Sequence, residues 1–323
     1  MTSAARESIS ETKQGAPTCR VCGSDRVVAL GAPLYRPPTK VAGVPIRVDD
    51  LNLLLYRCTR CGYQFVSPII PEERLLACYR ESGGKNWTTD PNVNEAIVTH
   101  RYYENKRRVL EQFSPGRRVL DFGCYDGGFL RYLGDTWERA GIEPSEVAAK
   151  TAASHGVKIL GPTIESVGRE YDGTFDAILS FDVFEHLARP VETIKGLARL
   201  LRPGGVLVVE TGNSDAISWR LSGRAYWYCG LVEHIGFFNK QSVQTAGRLA
   251  GLELAHFELS YHTRQPLWFT LRSLGMAGVY LALRAARKLR VPLRGKLDLV
   301  SQGTMPSTFG VRDHFIAVLR RPA

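Results

Sequence analysis

From Arg117 onward, short apolar runs alternate with stretches in which apolar residues recur every three or four positions. Arg118–Phe122, Arg139–Glu143, Val157–Leu160, Phe175–Ser180, Val206–Glu210, Leu252–Leu259 and His314–Leu319 read as strands. Helices are predicted between them: Phe129–Leu133, a segment capped by Ser145 and ending near His155, Val191–Leu201, and one running from the cap Asn239 to Ala250. Gly156, Pro203-Gly-Gly205 and Gly251 supply the stops. Strands separated by helices pair through crossovers, so the pattern predicts an α/β fold with a doubly wound, mostly parallel sheet covered on both faces.

The first part of the chain reads differently. Residues 1–18 are polar and small, a flexible tail; residues 19–85 carry Pro/Gly turns and short β-type runs such as Leu53–Arg57, a small β-rich module. Residues 86–116 form a helical linker around a helix at Glu95–Phe113, which Ser114-Pro-Gly116 ends. The regular α/β region covers 117–263, an insertion covers 264–308, and 309–323 holds the last strand.

Charge changes the picture in one place. The chain has 323 residues, 44% hydrophobic and 23% charged, which suits a globular protein, and a net charge of +10. Between Arg264 and Asp298 stand eight basic residues against one acidic, a net of +7, leaving +3 for the rest. A chain close to neutral outside one segment lacks the broad basic face that nucleic acid requires. The insertion starts with Trp268-Phe269, passes through apolar Leu274–Leu283 and ends at Arg284, Arg287, Lys288, Arg290, Arg294 and Lys296. Its polarity separates along the segment more than around it. Aromatic anchors beside a cationic end suit an anionic membrane surface or a phosphate-bearing acceptor; the plainer reading is a helical pair packed on the core with a solvated basic face. The N-terminal segment lacks the apolar stretch of a secretory signal, so the expected location is cytoplasmic, with peripheral contact at the inner membrane face through 264–300.

Four of the seven cysteines fall in two knuckles, Cys19-Arg-Val-Cys22-Gly and Cys58-Thr-Arg-Cys61-Gly. Thiolates at i and i+3 on a turn grip one face of a metal ion, and two such knuckles make a tetrahedral site suited to Zn2+. A closed all-cysteine site has no open position for substrate, so its expected role is structural.

The glycine turn carries the chemistry. In Val119-Leu-Asp121-Phe-Gly123-Cys-Tyr125-Asp-Gly127-Gly128 a strand feeds a turn that opens a helix, and twenty residues after Gly123 comes Glu143, a carboxylate at the end of the second strand placed for ribose hydroxyls. The dinucleotide fingerprint is not met, because Tyr125 stands at its second glycine. Asp121 would repel a phosphate but suits an ammonium group. Residues 117–260 resemble the class I S-adenosylmethionine-dependent methyltransferases, in this turn, in Glu143, in Phe175–Leu187 with Asp182, Glu185 and His186, and in Leu201-Arg-Pro-Gly-Gly205. The resemblance implies a Rossmann-like sheet and an S-adenosyl-L-methionine site lined by Asp121, Gly123, Tyr125, Gly127, Glu143 and Asp182. Tyr125 replaces the family's middle glycine, so its side chain has to point away from the cofactor or stack beside it.

The whole chain is also similar to bacterial enzymes that join a four-cysteine zinc module to this domain, among them deoxysugar C-methyltransferases. That resemblance covers Thr211-Gly-Asn213 and Glu233-His234-Ile-Gly-Phe237-Phe238-Asn and implies a sugar-type acceptor, a nucleotide-linked or lipid-linked glycan; the further C-terminal domain of the sugar C-methyltransferases is not matched here, so methylation on oxygen is expected in preference to carbon. His234 is the candidate base, with Glu233 or Tyr228 to orient it or the acceptor, and Trp219, Tyr226, Trp227 and Tyr228 are candidates to form the acceptor pocket. Asp182, Glu185 and His186 are an alternative set for a divalent metal. Two rival functions stay open: methyl transfer to a quinone-like or lipid acceptor at a membrane surface, and a non-catalytic zinc-module binding protein.

Overall fold

In the computed structural model, residues 17–35, 38–41, 43–81, 95–261, 267–295, 297–298, 300, 303, 305 and 311–323 are described. Most of the expected tail, residues 82–94 of the linker and parts of the insertion, Arg264 and Lys296 among them, lie outside the described residues.

Seven strands form the central sheet: β6 (Arg118–Phe122), β7 (Glu138–Ile142), β8 (Lys158–Gly161), β9 (Phe175–Phe181), β10 (Leu201–Gly212), β12 (Glu253–Ser260) and β13 (His314–Arg320), in the order β12-β13-β10-β9-β6-β7-β8. The pairs from β10 through β8 are parallel, and β13 inserts antiparallel between β10 and β12. The last strand is therefore interior, which explains its nearly complete burial. Strand order reverses between β6 and β9, and ligands in such sheets bind beyond the strand ends at that switch point.

Local signals set the helices. Ser145 accepts a hydrogen bond from the Ala148 amide to open α4 (Glu146–Ser154), and Asn239 accepts from the Ser242 amide to open α7 (Lys240–Leu249), as their side-chain chemistry predicts. The others are α1 (Glu72–Glu81), α2 (Glu95–Phe113), α3 (Gly128–Leu133), α5 (Pro190–Leu200), α6 (Ile217–Ser222) and α8 (Leu267–Lys288).

The N-terminal module holds β1 (Val27–Gly31), a ribbon of β2 (Lys40–Val41) and β3 (Val44–Pro45), then β4 (Leu54–Cys58) and β5 (Gln64–Ser67). Its main sheet runs β1-β4-β5-β11, and β11 (Gly236–Phe237) comes from the methyltransferase-like region, directly after Glu233-His234-Ile235. Cys19, Val21, Cys58, Cys61, Tyr63 and Phe65 belong to one apolar cluster with residues of the large sheet and α7. The module thus shares a core with the region it precedes.

The insertion departs from expectation. Its described part includes a 22-residue helix, α8, that buries only Ser273, Ala277 and Tyr280 and so packs less on the core than expected. Among the described residues no helix is long and apolar enough to cross a membrane.

Candidate active site

Asp121 is the penultimate residue of β6 and is 5% exposed. Burial pushes its carboxyl up to about 7, with Glu143 adding to the rise and Lys106 opposing it. A buried acid this close to titration gains most from a cation placed beside it, which fits an ammonium ligand. Gly123 follows with φ 83°, and a Cβ there would lie 2.6 Å from the Val183 side chain, so both conformation and space require glycine. Tyr125 takes φ 49°, the left-handed region that glycine would occupy, and its amide donates to Glu143 Oε2 at 2.9 Å. The departure from the family pattern is thus absorbed by the backbone. Gly127, at φ 76°, sits at the start of α3. Glu143 also accepts from the Ser145 amide at 2.8 Å, which fixes the carboxylate while leaving lone pairs for ribose hydroxyls. Burial raises its pKa, opposed by those two amides.

A second cluster gathers where β9, β10 and the 226–238 segment meet. Glu185 is 1% exposed and accepts from the Tyr228 hydroxyl at 2.6 Å and the Thr211 hydroxyl at 2.7 Å. Burial raises its pKa, Asp182 adds to the rise, and His186, Tyr228 and Thr211 oppose it. The Nε2 atoms of His186 and His234 stand 3.9 and 4.0 Å from Glu185 Oε1. His186 Nδ1 lies 3.1 Å from the Glu233 carbonyl, and His234 Nδ1 lies 3.0 Å from the Tyr228 carbonyl. A carbonyl only accepts, so each Nδ1 donates and each ring turns its Nε2 toward Glu185.

This geometry redistributes the expected roles. The Tyr228 backbone orients His234, the Glu233 backbone orients His186, and the Tyr228 phenol is engaged with Glu185. Trp219, Tyr226 and Tyr228 are fully buried, in one apolar cluster with Leu55 and Val66 of the module, so they are core and do not line an acceptor pocket. His186, with a side chain 19% exposed, is the more accessible imidazole; His234 lies behind it, the rings 4.9 Å apart. Asp182 directly follows β9 at φ 53°, its amide donating to the Glu210 carbonyl at 3.0 Å. Ligand atoms of Glu185, His186 and His234 lie within 4.8 Å of one another, a set able to hold a divalent cation in which His234 takes the place expected for Asp182.

Sequence patterns did not mark Lys106. It reaches from α2 to Glu210 Oε2 at 2.6 Å, both side chains buried, and lies over the Phe181 ring. Nothing in a linker helix distinguishes a lysine that will be buried.

At the far side, all four cysteine sulfurs lie within 4.8 Å of one another, with Cys19–Cys61 at 3.6 Å and Cys22–Cys58 at 3.5 Å. Zn–S bonds of about 2.3 Å in a tetrahedron put sulfurs about 3.8 Å apart, so the cluster fits zinc with little adjustment. Gly62, at φ 75°, lets the second knuckle abut α7, where a Cβ would meet the Asn239 side chain at 2.3 Å.

A sheet with this strand order, a glycine turn after β6 and an acid after β7 define a class I S-adenosylmethionine-dependent methyltransferase. The methyltransferase domain family model matches residues 95–256, half of the chain, and the protein belongs to that family. It is 29% identical to a ubiquinone biosynthesis O-methyltransferase of Thiobacillus denitrificans, over 59% of this chain and 87% of that one. It is 39% identical to the enzyme of the same name from a Caulobacter strain, but over 30% of this chain and 42% of that one. Among solved structures, a SAM-dependent methyltransferase from Archaeoglobus fulgidus is similar with a TM-score of 0.45 and 13% identity, over 71% of this chain and 95% of that one.

Proposed function

We propose that the enzyme methylates a phenolic oxygen of a quinone-like acceptor. The observation that carries the chemistry is the pair of imidazole Nε2 atoms held at 3.9 and 4.0 Å from one buried carboxylate. The acceptor meets His186 first, its hydroxyl proton passes to the imidazole pair with His234 as the final base, and Glu185 stabilises the imidazolium formed. Bound S-adenosylmethionine would supply the methyl group to an oxygen aligned with its S–C bond and would leave as S-adenosylhomocysteine as the methyl ether forms. Asp121 holds the cofactor's ammonium and Glu143 its ribose, with Gly123, Tyr125, Gly127 and Asp182 shaping the turn and strand end around them. The O-methyltransferase names of the relatives support this acceptor class over the sugar that the zinc-module resemblance suggests, since none of the relatives given above is named for a sugar. The four cysteines hold a structural zinc, which ties the two knuckles together.

A mass-spectrometric assay with deuteromethyl cofactor separates the readings. Label in a polyprenyl catechol and none in nucleotide sugars is the expected result; label in the sugars alone overturns the acceptor. A second reading the geometry favours is a divalent cation, which Glu185, His186 and His234 would hold and which would supply Lewis-acid activation of an acceptor oxygen. It predicts that added Mg2+ raises turnover of the zinc-loaded enzyme with a catechol, whereas the base reading predicts no dependence.

A further inference from the structure

A surface helix ordinarily turns its apolar stripe to the core and its polar face to water. Helix α8 does the reverse. The residues it buries are Ser273, Ala277 and Tyr280, while Leu267 is 74% exposed, Trp268 64%, Leu271 59% and Val279 60%. Ile217 and Leu221 on α6 are exposed as well. Leu221 and Leu281 line a cleft of about 440 Å³ between α6 and the end of α8. Apolar surface on this scale is uncommon on a freely soluble face.

The charges nearby are of one sign. Helix α8 contains no acidic residue and ends at Arg284, Arg287 and Lys288, with Arg290 and Arg294 beyond it. The cleft is lined by Arg220, Arg224, Arg284 and Lys288 and by no acid. Two of its guanidiniums are anchored: Arg284 donates to the Ser222 carbonyl at 3.0 Å and the Tyr280 hydroxyl at 3.1 Å, and Arg224 donates to the Ala32 carbonyl. Five N–H donors per guanidinium exceed these contacts, so each anchored group still has donors for a phosphate. Acids do stand close by: Asp215 pairs with Arg220 at 3.2 Å and Asp298 with Arg287 at 3.6 Å, both on exposed surface where such pairs are weak.

We propose that α8 and this cleft form a docking surface for an anionic phospholipid bilayer. The outer face of α8 lies in the interfacial plane, and the cleft's cations take headgroup phosphates. At about 1.5 Å per residue the helix is long enough to lie along the surface over roughly 30 Å, while its basic end keeps it from spanning. Pairing with a second copy of the chain would set this predominantly basic surface against another like it, so charge complementarity favours lipid. The inference does not depend on the acceptor, because it concerns a surface separate from the strand-end cluster.

Flotation of the full zinc-loaded chain with vesicles tests it without any methyl acceptor. Binding to phosphatidylcholine vesicles containing phosphatidylglycerol is expected to exceed binding to phosphatidylcholine alone by ~10-fold or more, as several cations at about 1 kcal/mol each imply. A Leu271→Glu/Val279→Glu variant should lose flotation, and Arg287→Glu/Lys288→Glu should lose the preference for anionic lipid, both with S-adenosylhomocysteine affinity unchanged as the measure of intact folding. Flotation that ignores lipid charge or survives Leu271→Glu/Val279→Glu overturns the proposal. A dimer that Leu271→Glu disperses, with no flotation, overturns it in favour of self-association.

Discussion

The guanidinium of Arg20, set between the first two cysteines, donates to the carbonyl of Ile235, the residue that follows Glu233-His234. The Ile235 amide in turn donates to the Glu185 carbonyl at 2.8 Å. A hydrogen-bonded path thus runs from the first knuckle to the backbone of Glu185, the residue whose carboxylate faces both imidazoles. The module's place in the enzyme is to hold that segment.

Arg20→Met should therefore act on turnover more than on cofactor binding. The Ile235 carbonyl keeps the Val66 amide at 3.0 Å, but a hydrogen bond from a charged donor is lost, a cost of about 1.5–3 kcal/mol. The expectation is a roughly 10-fold lower kcat with S-adenosylhomocysteine affinity within about twofold of the parent, checked by steady-state assay beside calorimetry. Chelation of zinc should reproduce the same split, since it loosens the same knuckle.

Asp121 makes cofactor binding depend on pH. With its carboxyl raised by burial to about 7, the free enzyme holds a proton there below that pH, and an incoming ammonium favours the ionised form. Affinity for S-adenosylhomocysteine should rise from pH 6 to pH 8, with proton release at the lower pH visible as buffer-dependent calorimetric heat. The stability sign is opposite. The folded chain binds this proton more tightly than the unfolded one, so the group costs stability as pH rises through the window from the ordinary carboxylate value to about 7. Asp121→Asn should raise the Tm of the cofactor-free protein at pH 8 by a few degrees while abolishing binding.

Lys106 and Glu210 pose the reverse case. Lys106→Met strands a buried carboxylate at a cost of about 3–5 kcal/mol, and Glu210→Gln in the same chain should restore most of it. Because Lys106 also restrains the rise at Asp121, the double variant should shift the pH dependence of cofactor binding upward. Thermal melts and pH-resolved calorimetry on the single and double variants check both effects.

Tyr228→Phe removes one of the two hydroxyls that hold Glu185. A hydrogen bond to a charged group is worth about 1.5–3 kcal/mol, so the Tm should fall by several degrees. The kcat should drop roughly 10-fold with cofactor affinity unchanged, since Glu185, held then by Thr211 alone, is less well placed to stabilise the imidazolium. Thr211→Val should give a smaller loss of the same kind.

The parts of this architecture set by near neighbours were readable from the chain. Ser145 and Asn239 cap helices through contacts three residues away, and Glu143 meets the Tyr125 turn across two adjacent strands. The cysteine knuckles carry their own spacing. What could not be read depends on distant partners: Tyr228 reaches Glu185 across 43 positions and Arg20 reaches Ile235 across 215. Aromatic residues mark pockets and cores alike, which is why Trp219, Tyr226 and Tyr228 suggested an acceptor site and proved to be core. Periodicity says which residues of α8 share a face but not whether that face meets protein or water, and here the apolar one meets water.

The most direct test is single-turnover methyl transfer from labelled S-adenosylmethionine to a catechol acceptor by the parent and by His186→Ala, His234→Ala and the double variant. General-base loss predicts a fall of about 100-fold or more in the double variant, with S-adenosylhomocysteine affinity retained. Methyl transfer at the parent rate in the double variant would contradict the assignment of the imidazole pair, and would place proton removal elsewhere in the site.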